Sequence, residues 1–545
     1  MPTVRDATFD LLRKLDLRNF VSNPGSTEET FLANFPDDFN FILALQESSV
    51  VGIADGLAQG LGKPVLVNVH TGAGMGNAMG CILTAYLNKT PLIITAGQQT
   101  REMLLMEPFL TNVESTILPK PWVKWSYEVM RPEDVPSAFM RAYATAIQAP
   151  QGPVFLSIPL DLWDEEIDEV DIFRSTSRIV GPDPERLYEF ARQINESQNP
   201  VLIYGADVAR SNAWNEAVLL AEKLACPVWK GPFSELVSFP EDHLLYQGEL
   251  PSAKGLLSQM LKGHDLIIVI GAPVFRYYPW IAGDYLPEGA RLIQVTDDPY
   301  EAAKAPVGDC LVSDSLLTLK GLLDKVKERG IDQNFSTNRK QERSQLTVQP
   351  AYPLTAKQVF DILSGLTPED YVLVQESPSN THDLQESGLG TVVKPQSFYT
   401  MSSGGLGWDM PAAVGLALAE QKSGRNRPVI LIIGDGSFQY SLQAIWTGVQ
   451  HQTHLIILAL RNEEYAILKS FALLENTPNV PGLDLPGLDL VSLAKGYGAE
   501  ASFAANIDEI KTAFQQALAF KGVTVIEIPI EKKIHKLLGY ISSRD

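Results

Sequence analysis

The sequence predicts an α/β protein built as three tandem doubly wound parallel-sheet domains, and three observations carry the prediction. At 545 residues the chain is too long for one hydrophobic core and suits about three domains. Short apolar runs alternate with helical stretches, with Gly and Pro at their ends, as strands buried beneath helices require. Two polar, poorly periodic stretches break that alternation into blocks.

In the first block the expected strands are 19–22, 41–45, 65–70, 92–96 and 154–158. The acidic stretch 164–178 reads as a linker. The second block has expected strands at 201–204, 228–230, 266–270 and 292–295, and the polar stretch 325–349 reads as a second connector. The third block starts near residue 354 and ends on an expected strand at 523–528. The expected domains are therefore 1–180, 181–345 and 346–545. No short-period repeat or low-complexity tract is present.

The formal net charge of −21 argues against a polyanionic partner, so neither nucleic acid nor an anionic membrane face is expected. An anionic cofactor is not opposed, because a bound metal and helix dipoles supply local positive potential. Cys81, Cys226 and Cys310 are few, odd in number and without metal spacing, which fits a reducing compartment and a packing role. The N-terminus has no signal-peptide layout and no apolar run is long enough to span a bilayer. The expected location is the cytoplasm.

Residues 430–437 and 455–462 carry the densest chemical signal. Each is an apolar run ending in an oxygen-bearing side chain, Asp435 in the first and Asn462 in the second. With a helix expected over 440–450, the unit reads βαβ, and both side chains fall at strand C-terminal ends, where open α/β sheets bind ligands. A carboxylate and an amide oxygen suit Mg²⁺ or Ca²⁺, with Mg²⁺ keeping positions for water and phosphate oxygens. Gly436 allows close backbone approach, and Ser437 is expected to open a helix whose N–H groups favour phosphate. Gly434-Asp435-Gly436 alone is also a common turn and N-cap. The asparagine ending the next strand makes the combination specific: a diphosphate–magnesium cradle.

Toward the N-terminus, Asn23-Pro24-Gly25-Ser26 follows the first strand as a tight turn. Glu47 opens an apolar helix over 48–58; it serves either the helix dipole or, in otherwise apolar surroundings, a buried functional role. His70 ends a strand beside the glycine-rich run 71–77, as a proton-transfer group or a hydrogen-bonded structural histidine. Gly72-Ala73-Gly74 fails as a dinucleotide fingerprint, because Asn77 replaces the third glycine and no acidic residue ends the next strand.

With Glu47, the Asp435–Asn462 pair and three α/β blocks in hand, the chain resembles the thiamine-diphosphate (ThDP)-dependent decarboxylases, most of all the branch that acts on benzoylformate. The likeness runs almost the full length, through 23–26, Gln46-Glu47, His70, 97–100, 123–127, 149–153, 271–277, 404–407, 479–484 and 493–498. It implies pyrimidine-binding, middle and diphosphate-binding domains, with cofactor held between one subunit and its partner, usually in a tetramer formed as a dimer of dimers. It implies Mg²⁺ on Asp435, Asn462 and the backbone carbonyl of Glu464. The cofactor-binding set it implies is Pro24, Gly25, Glu47, Asn77, Ser379, Gly404, Leu406, Gly436, Ser437, Tyr440, Tyr465 and Ala466, with Leu406 supporting the bent form of the cofactor.

The implied activity is non-oxidative decarboxylation of a 2-keto acid to an aldehyde and CO₂. Glu47 would activate the cofactor, while Ser26 and His70 would hold the substrate carboxylate and move protons. The chain departs from its relatives at Tyr278, a phenol where the family has a second active-site histidine and a far weaker base at neutral pH. The protonation following loss of CO₂ is therefore expected to slow, which opens a second reading as a carboligase or aldehyde lyase of 2-hydroxyketones. The implied pocket wall is Phe109, Leu110, Pro378, Thr400, Ile467, Leu468 and Phe471, and Ile467 should narrow it. His382 is expected as an exposed helix-start residue. A catalytically silent paralogue is weighed against by intact Glu47, Ser26 and His70. A flavin- or nucleotide-linked oxidoreductase lacks its fingerprint in the middle block.

Overall fold

The computed structural model describes residues 1–168, 171–330 and 351–537. Three six-stranded sheets follow one another along the chain, and among the described residues their strands pair in parallel. The first sheet contains β1 (Asn19–Asn23), β2 (Asn40–Leu43), β3 (Val65–Val69), β4 (Leu92–Gln98), β5 (Ser126–Glu128) and β6 (Val154–Pro159). The second contains β7 (Pro200–Tyr204), β8 (Val228–Lys230), β9 (Tyr246–Glu249), β10 (Leu266–Ile270), β11 (Arg291–Thr296) and β12 (Asp309–Val312). The third contains β13 (Val372–Glu376), β14 (Phe398–Tyr399), β15 (Val429–Gly434), β16 (Leu455–Arg461), β17 (Glu500–Phe503) and β18 (Val523–Pro529). Central strands such as β3, β6, β7 and β10 are buried throughout because helices cover both faces, which explains their predominantly apolar sequences.

The first and third sheets share one topology, in the orders β2-β1-β3-β4-β6-β5 and β14-β13-β15-β16-β18-β17. In each, strand order reverses between the first and third strands, and the crevice outside the carboxyl ends at that reversal is where such sheets take ligands. The middle sheet runs β12-β11-β10-β7-β8-β9, reversing between β7 and β10. Lys89 of the first block projects toward the carboxyl edge of this sheet, with Nζ 2.7 Å from Asp207 after β7 and 3.0 Å from Asp297 after β11. A lysine from outside the sheet thus pairs with carboxylates at that edge.

The outer blocks are joined by two helices, Glu47–Leu61 and Asp409–Ser423, that pack in unusually close contact. A Cβ on Gly56 would lie 2.1 Å from the Ala412 carbonyl oxygen, and one on Gly415 would lie 2.1 Å from that of Ile53. Asp55 is fully buried in this seam and accepts from Trp408 Nε1 (2.7 Å), Gln59 Nε2 (2.8 Å) and Asn88 Nδ2 (3.1 Å). Burial pushes its carboxyl up, and the neutral donors only partly offset that.

Several expectations change. The helix expected over 440–450 is present over Ala444–Gln450 only, and a separate four-residue turn of helix, Asp435–Phe438, precedes it. Three-residue turns separate the two, with Tyr440 N–H bonding Ser437 O and Ala444 N–H bonding Ser441 O, while Ser441 Oγ leaves to bond Gly407 O at 2.7 Å. Ser437 accordingly sits within that short turn rather than opening a long helix, which weakens the dipole argument for phosphate. The 164–178 stretch is not a free linker at its start: Val4 N–H bonds Glu165 O, Ile167 N–H bonds Pro2 O, and Arg5 pairs with Asp164. Of the expected connector 325–349, residues 331–349 lie outside the described residues.

Candidate active site

The N-terminal half of the site forms at the carboxyl ends of β1, β2 and β3. Glu47 is the first residue of its helix, capped by Gln46, whose side chain accepts from Ser49 N–H. Glu47 is 7% exposed, and both its oxygens are held: Oε1 accepts from Asn23 Nδ2 at 3.0 Å and Oε2 from Asn77 Nδ2 at 2.9 Å. Asn23 ends β1 and Asn77 lies nearly two turns into the helix Thr71–Leu87. Two neutral amides thus fix the carboxylate without a counter-charge.

His70 ends β3 and precedes that same helix. Its Nδ1 lies 2.8 Å from Glu28 Oε2 and 3.3 Å from Thr27 Oγ1. Glu28 is a residue that sequence reasoning missed: its position in a turn after Ser26 suggests an exposed acid, yet its side chain is fully buried. Pro24 and Ser26 are exposed beside it in this chain, and Gly25 is half-buried with its N–H on Glu28 Oε2 at 2.9 Å.

The C-terminal half forms where β15 and β16 end side by side. Asp435 is buried, with Oδ1 accepting from Gly436 N–H at 2.9 Å and Oδ2 from Glu463 N–H at 2.6 Å. The second bond carries the backbone of the Asn462–Glu464 loop against Asp435. Asn462 is buried as well, with Oδ1 3.2 Å from Glu464 N. Among the described residues no three His, Cys, Asp or Glu side chains converge, so an ion here depends on amide and carbonyl oxygens beside one carboxylate. That hard, all-oxygen set fits Mg²⁺ or Ca²⁺. Burial pushes the Asp435 carboxyl up, a shift that a bound cation would oppose. Glu464 sends its carboxylate to Lys469, which also binds Asp484 at 2.6 Å. The 483–485 strand segment is thereby strapped across the loop, with Tyr465 N–H on Leu483 O and Leu485 N–H on Glu463 O.

Gly436, Ser437 and Ala466 are buried, Ser379, Leu406 and Tyr465 are half-buried, and Gly404 and Tyr440 are exposed. Behind Leu406, Glu376 at the end of β13 accepts from Gly407 N–H (2.7 Å) and Asp409 N–H (2.8 Å). The carboxyl of Asp409 is buried beside it, and both Asp409 oxygens lack a hydrogen-bond partner among the described residues. Burial pushes both carboxyls up, Glu376 to about 7, so the pair retains a proton that the unfolded chain releases near pH 4. Holding protons on these groups costs stability increasingly as pH rises from about 4 through about 7. Asp409→Asn, whose amide can donate to Glu376 without a proton, should therefore gain on the parent across that window, by about 3–6 °C in Tm. Melting curves at pH 5, 6, 7 and 8 check this; parallel curves for the two proteins would refute it.

Of the pocket residues, Thr400, Ile467 and Phe471 are half-buried while Leu468 is exposed. Tyr278 reaches across from the middle block, its ring centroid 5.0 Å from that of Phe471. Phe109 is 86% exposed and its neighbour Leu110 holds φ at 68°. His382 is exposed and pairs with Glu386, as expected. Within one chain, no hydrogen bond, ion pair or ring contact joins the Glu47–His70 group to the Asp435–Asn462 group among the described residues.

Two apolar-strand crevices of the same topology, one holding a buried glutamate and the other an oxygen cradle, define a class. The N-terminal TPP binding domain of thiamine pyrophosphate enzymes matches residues 2–115, the central domain matches 187–322, and the C-terminal TPP binding domain matches 387–528. The chain belongs to the thiamine pyrophosphate enzyme family. It is 43% identical over 536 residues to the benzoylformate decarboxylase of Pseudomonas aeruginosa, covering 97% of this chain and 99% of that protein. The crystal structure of benzoylformate decarboxylase from Polynucleobacter necessarius superposes with a TM-score of 0.96 at 60% identity, over 98% of this chain and 100% of that one. The Rhodococcus jostii RHA1 thiamine diphosphate-dependent 4-hydroxybenzoylformate decarboxylase gives 0.91 at 38% identity, over 98% and 100% of the two chains. Among the described residues no helix is long and apolar enough to cross a membrane.

Proposed function

We propose that this protein is a ThDP- and Mg²⁺-dependent carboxy-lyase that converts a 2-keto acid of the benzoylformate type to its aldehyde and CO₂. The observation that carries the reading is the buried Glu47 carboxylate, fixed on both oxygens by Asn23 and Asn77 at the mouth of a ligand-binding crevice. Held there, ThDP would supply a carbon nucleophile and an electron sink for decarboxylation. Glu47 holds and moves a proton at the aminopyrimidine nitrogen. Asp435 and Asn462 side chains and the Glu464 carbonyl hold the metal and, through it, the diphosphate. Pro24, Gly25, Asn77, Ser379, Gly404, Gly436, Ser437, Tyr440, Tyr465 and Ala466 line the cofactor, with Leu406 behind its bend. Ser26 and His70 hold the substrate carboxylate and move protons near it. Phe109, Leu110, Thr400, Ile467, Leu468 and Phe471 form the wall.

The reading places the cofactor between two copies of the chain in a cytoplasmic homotetramer, with domain limits near residues 180 and 345. The exposure of Pro24, Ser26, Asn77 and Phe109 on one half and of Gly404, Tyr440 and Leu468 on the other supports it. The test is product analysis with purified protein, ThDP and Mg²⁺ on benzoylformate, pyruvate and a branched 2-keto acid, with and without added aldehyde. CO₂ release with aldehyde formation is expected; none from any acid would overturn the reading.

A second reading, carboligation of two aldehydes or cleavage of a 2-hydroxyketone, is favoured by Tyr278, which offers a phenol beside Phe471. Tyr278→His should raise the ratio of decarboxylation to carboligation by about ten-fold, since an imidazole near neutrality exchanges protons readily. Gas and ligation products measured on one sample check it, and an unchanged ratio would remove Tyr278 from the protonation step.

A further inference from the structure

We propose that Glu28 is a positioning residue that locks His70 in the tautomer carrying its proton on Nδ1, leaving Nε2 to exchange protons with substrate. The inference rests on His70 acting as proposed above, but its structural part stands without that. The Glu28 carboxylate is saturated. Oε2 accepts from Gly25 N–H at 2.9 Å and faces His70 Nδ1 at 2.8 Å. Oε1 accepts from Gly97 N–H at 2.7 Å, from Thr27 Oγ1 at 2.8 Å and, at 3.4 Å, from Thr71 N–H. Four of these donors, three of them backbone N–H groups, are independent of the imidazole, and they leave on Oε2 the single lone-pair site that faces His70 Nδ1. Nδ1 must then be the donor in its contact with Oε2, because two acceptors would otherwise face each other at 2.8 Å. Thr27 Oγ1, whose own proton points at Glu28, is left to accept the weaker branch at 3.3 Å.

The backbone is shaped around this pair. A Cβ on Gly25 would lie 2.1 Å from His70 Nδ1, so the imidazole rests flat on the turn and cannot rotate toward it. Glu28 gathers N–H groups from the β1 turn, the start of the Thr71 helix and β4, which orients the ring from three elements at once. Among the described residues Nε2 has no protein partner, which leaves it as the nitrogen available for proton exchange. A buried carboxylate fixing a histidine's tautomer is a known device in acid–base catalysis, where the amide replacement costs about 10⁴ in kcat.

The deciding measurement is the solid-state ¹⁵N spectrum of the holoenzyme labelled at histidine. His70, one of seven histidines, is assigned by its absence in His70→Ala. The expected spectrum shows a protonated Nδ1 and a bare Nε2; a bare Nδ1 would overturn the proposal with no variant needed. In Glu28→Gln the amide cannot serve every donor that the carboxylate served, and the tautomer ratio should shift toward Nε2–H. kcat should fall by about 10²–10⁴-fold with KM within about three-fold and ThDP affinity unchanged, and Glu28→Asp should recover part of kcat. Wild-type kcat and an unshifted His70 spectrum in Glu28→Gln would also overturn it. If the wild type shows the Nδ1–H tautomer yet releases no CO₂ from any 2-keto acid, the decarboxylase reading falls while the assignment of Glu28 survives.

Discussion

Turnover by Glu47→Gln is expected to fall by about 10³-fold or more, with the fold, Mg²⁺ binding and ThDP binding retained. Glutamine is the same size, so Asn77 and Asn23 still find one acceptor between them, but the second oxygen becomes an NH₂ that faces an amide donor. The change removes the negative charge and the ability to take a proton, and general acid–base groups contribute about 10²–10⁴ each. Circular dichroism, calorimetric binding of ThDP and steady-state CO₂ release separate the outcomes. Undiminished turnover would take Glu47 out of the chemistry and leave its burial as a matter of packing.

Asp435→Ala should abolish activity by a different route. It deletes the charged member of the oxygen set and leaves the Glu463 N–H without its acceptor at 2.6 Å. Retention of Mg²⁺ and ThDP on gel filtration should be lost, while the melting curve in the absence of cofactor moves little. Combining the two inactive proteins gives a sharper result. Co-expressed Glu47→Gln and Asp435→Ala chains form mixed dimers in which one of two sites keeps both an intact glutamate and an intact aspartate. Random pairing then restores about a quarter of parental activity. A site completed within one chain would restore none, and that result would overturn the arrangement between subunits.

The legible parts of this molecule were those whose signal is local. An apolar run ending in Asp435, and a second ending in Asn462, needed only their own neighbours to be placed at strand ends, and β15 and β16 pair as that reading requires. Glu47 was legible for the same reason, at the junction of a strand and an apolar helix. Glu28 was not, because its partners Gly97 and His70 come from strands distant in sequence, and nothing within the turn distinguishes a buried carboxylate from a solvated one. Strands β5, β9, β12, β14 and β17 escaped notice because short edge strands with half-exposed faces carry little hydrophobic signal. β13 was missed although it is fully buried, and Glu376 at its end went with it. The 440–450 reading failed where Ser441 satisfies a carbonyl of a distant loop, a contact outside the reach of helical periodicity.

The seam at Gly56 and Gly415 bears on how such an enzyme can change its diet. With backbone against backbone at Gly56 and Gly415, the helix bearing Glu47 and the helix following Leu406 form a single stiff beam. Widening the cavity by sliding them apart would strand Asp55 and Trp408, whose bond at 2.7 Å spans the joint. If Phe109, Thr400 and Ile467 form the wall as proposed, adaptation to bulkier or slimmer molecules proceeds by editing them, with the girder left untouched. Libraries aimed at new aldehydes should be richest in functional members there, and nearly barren along the beam.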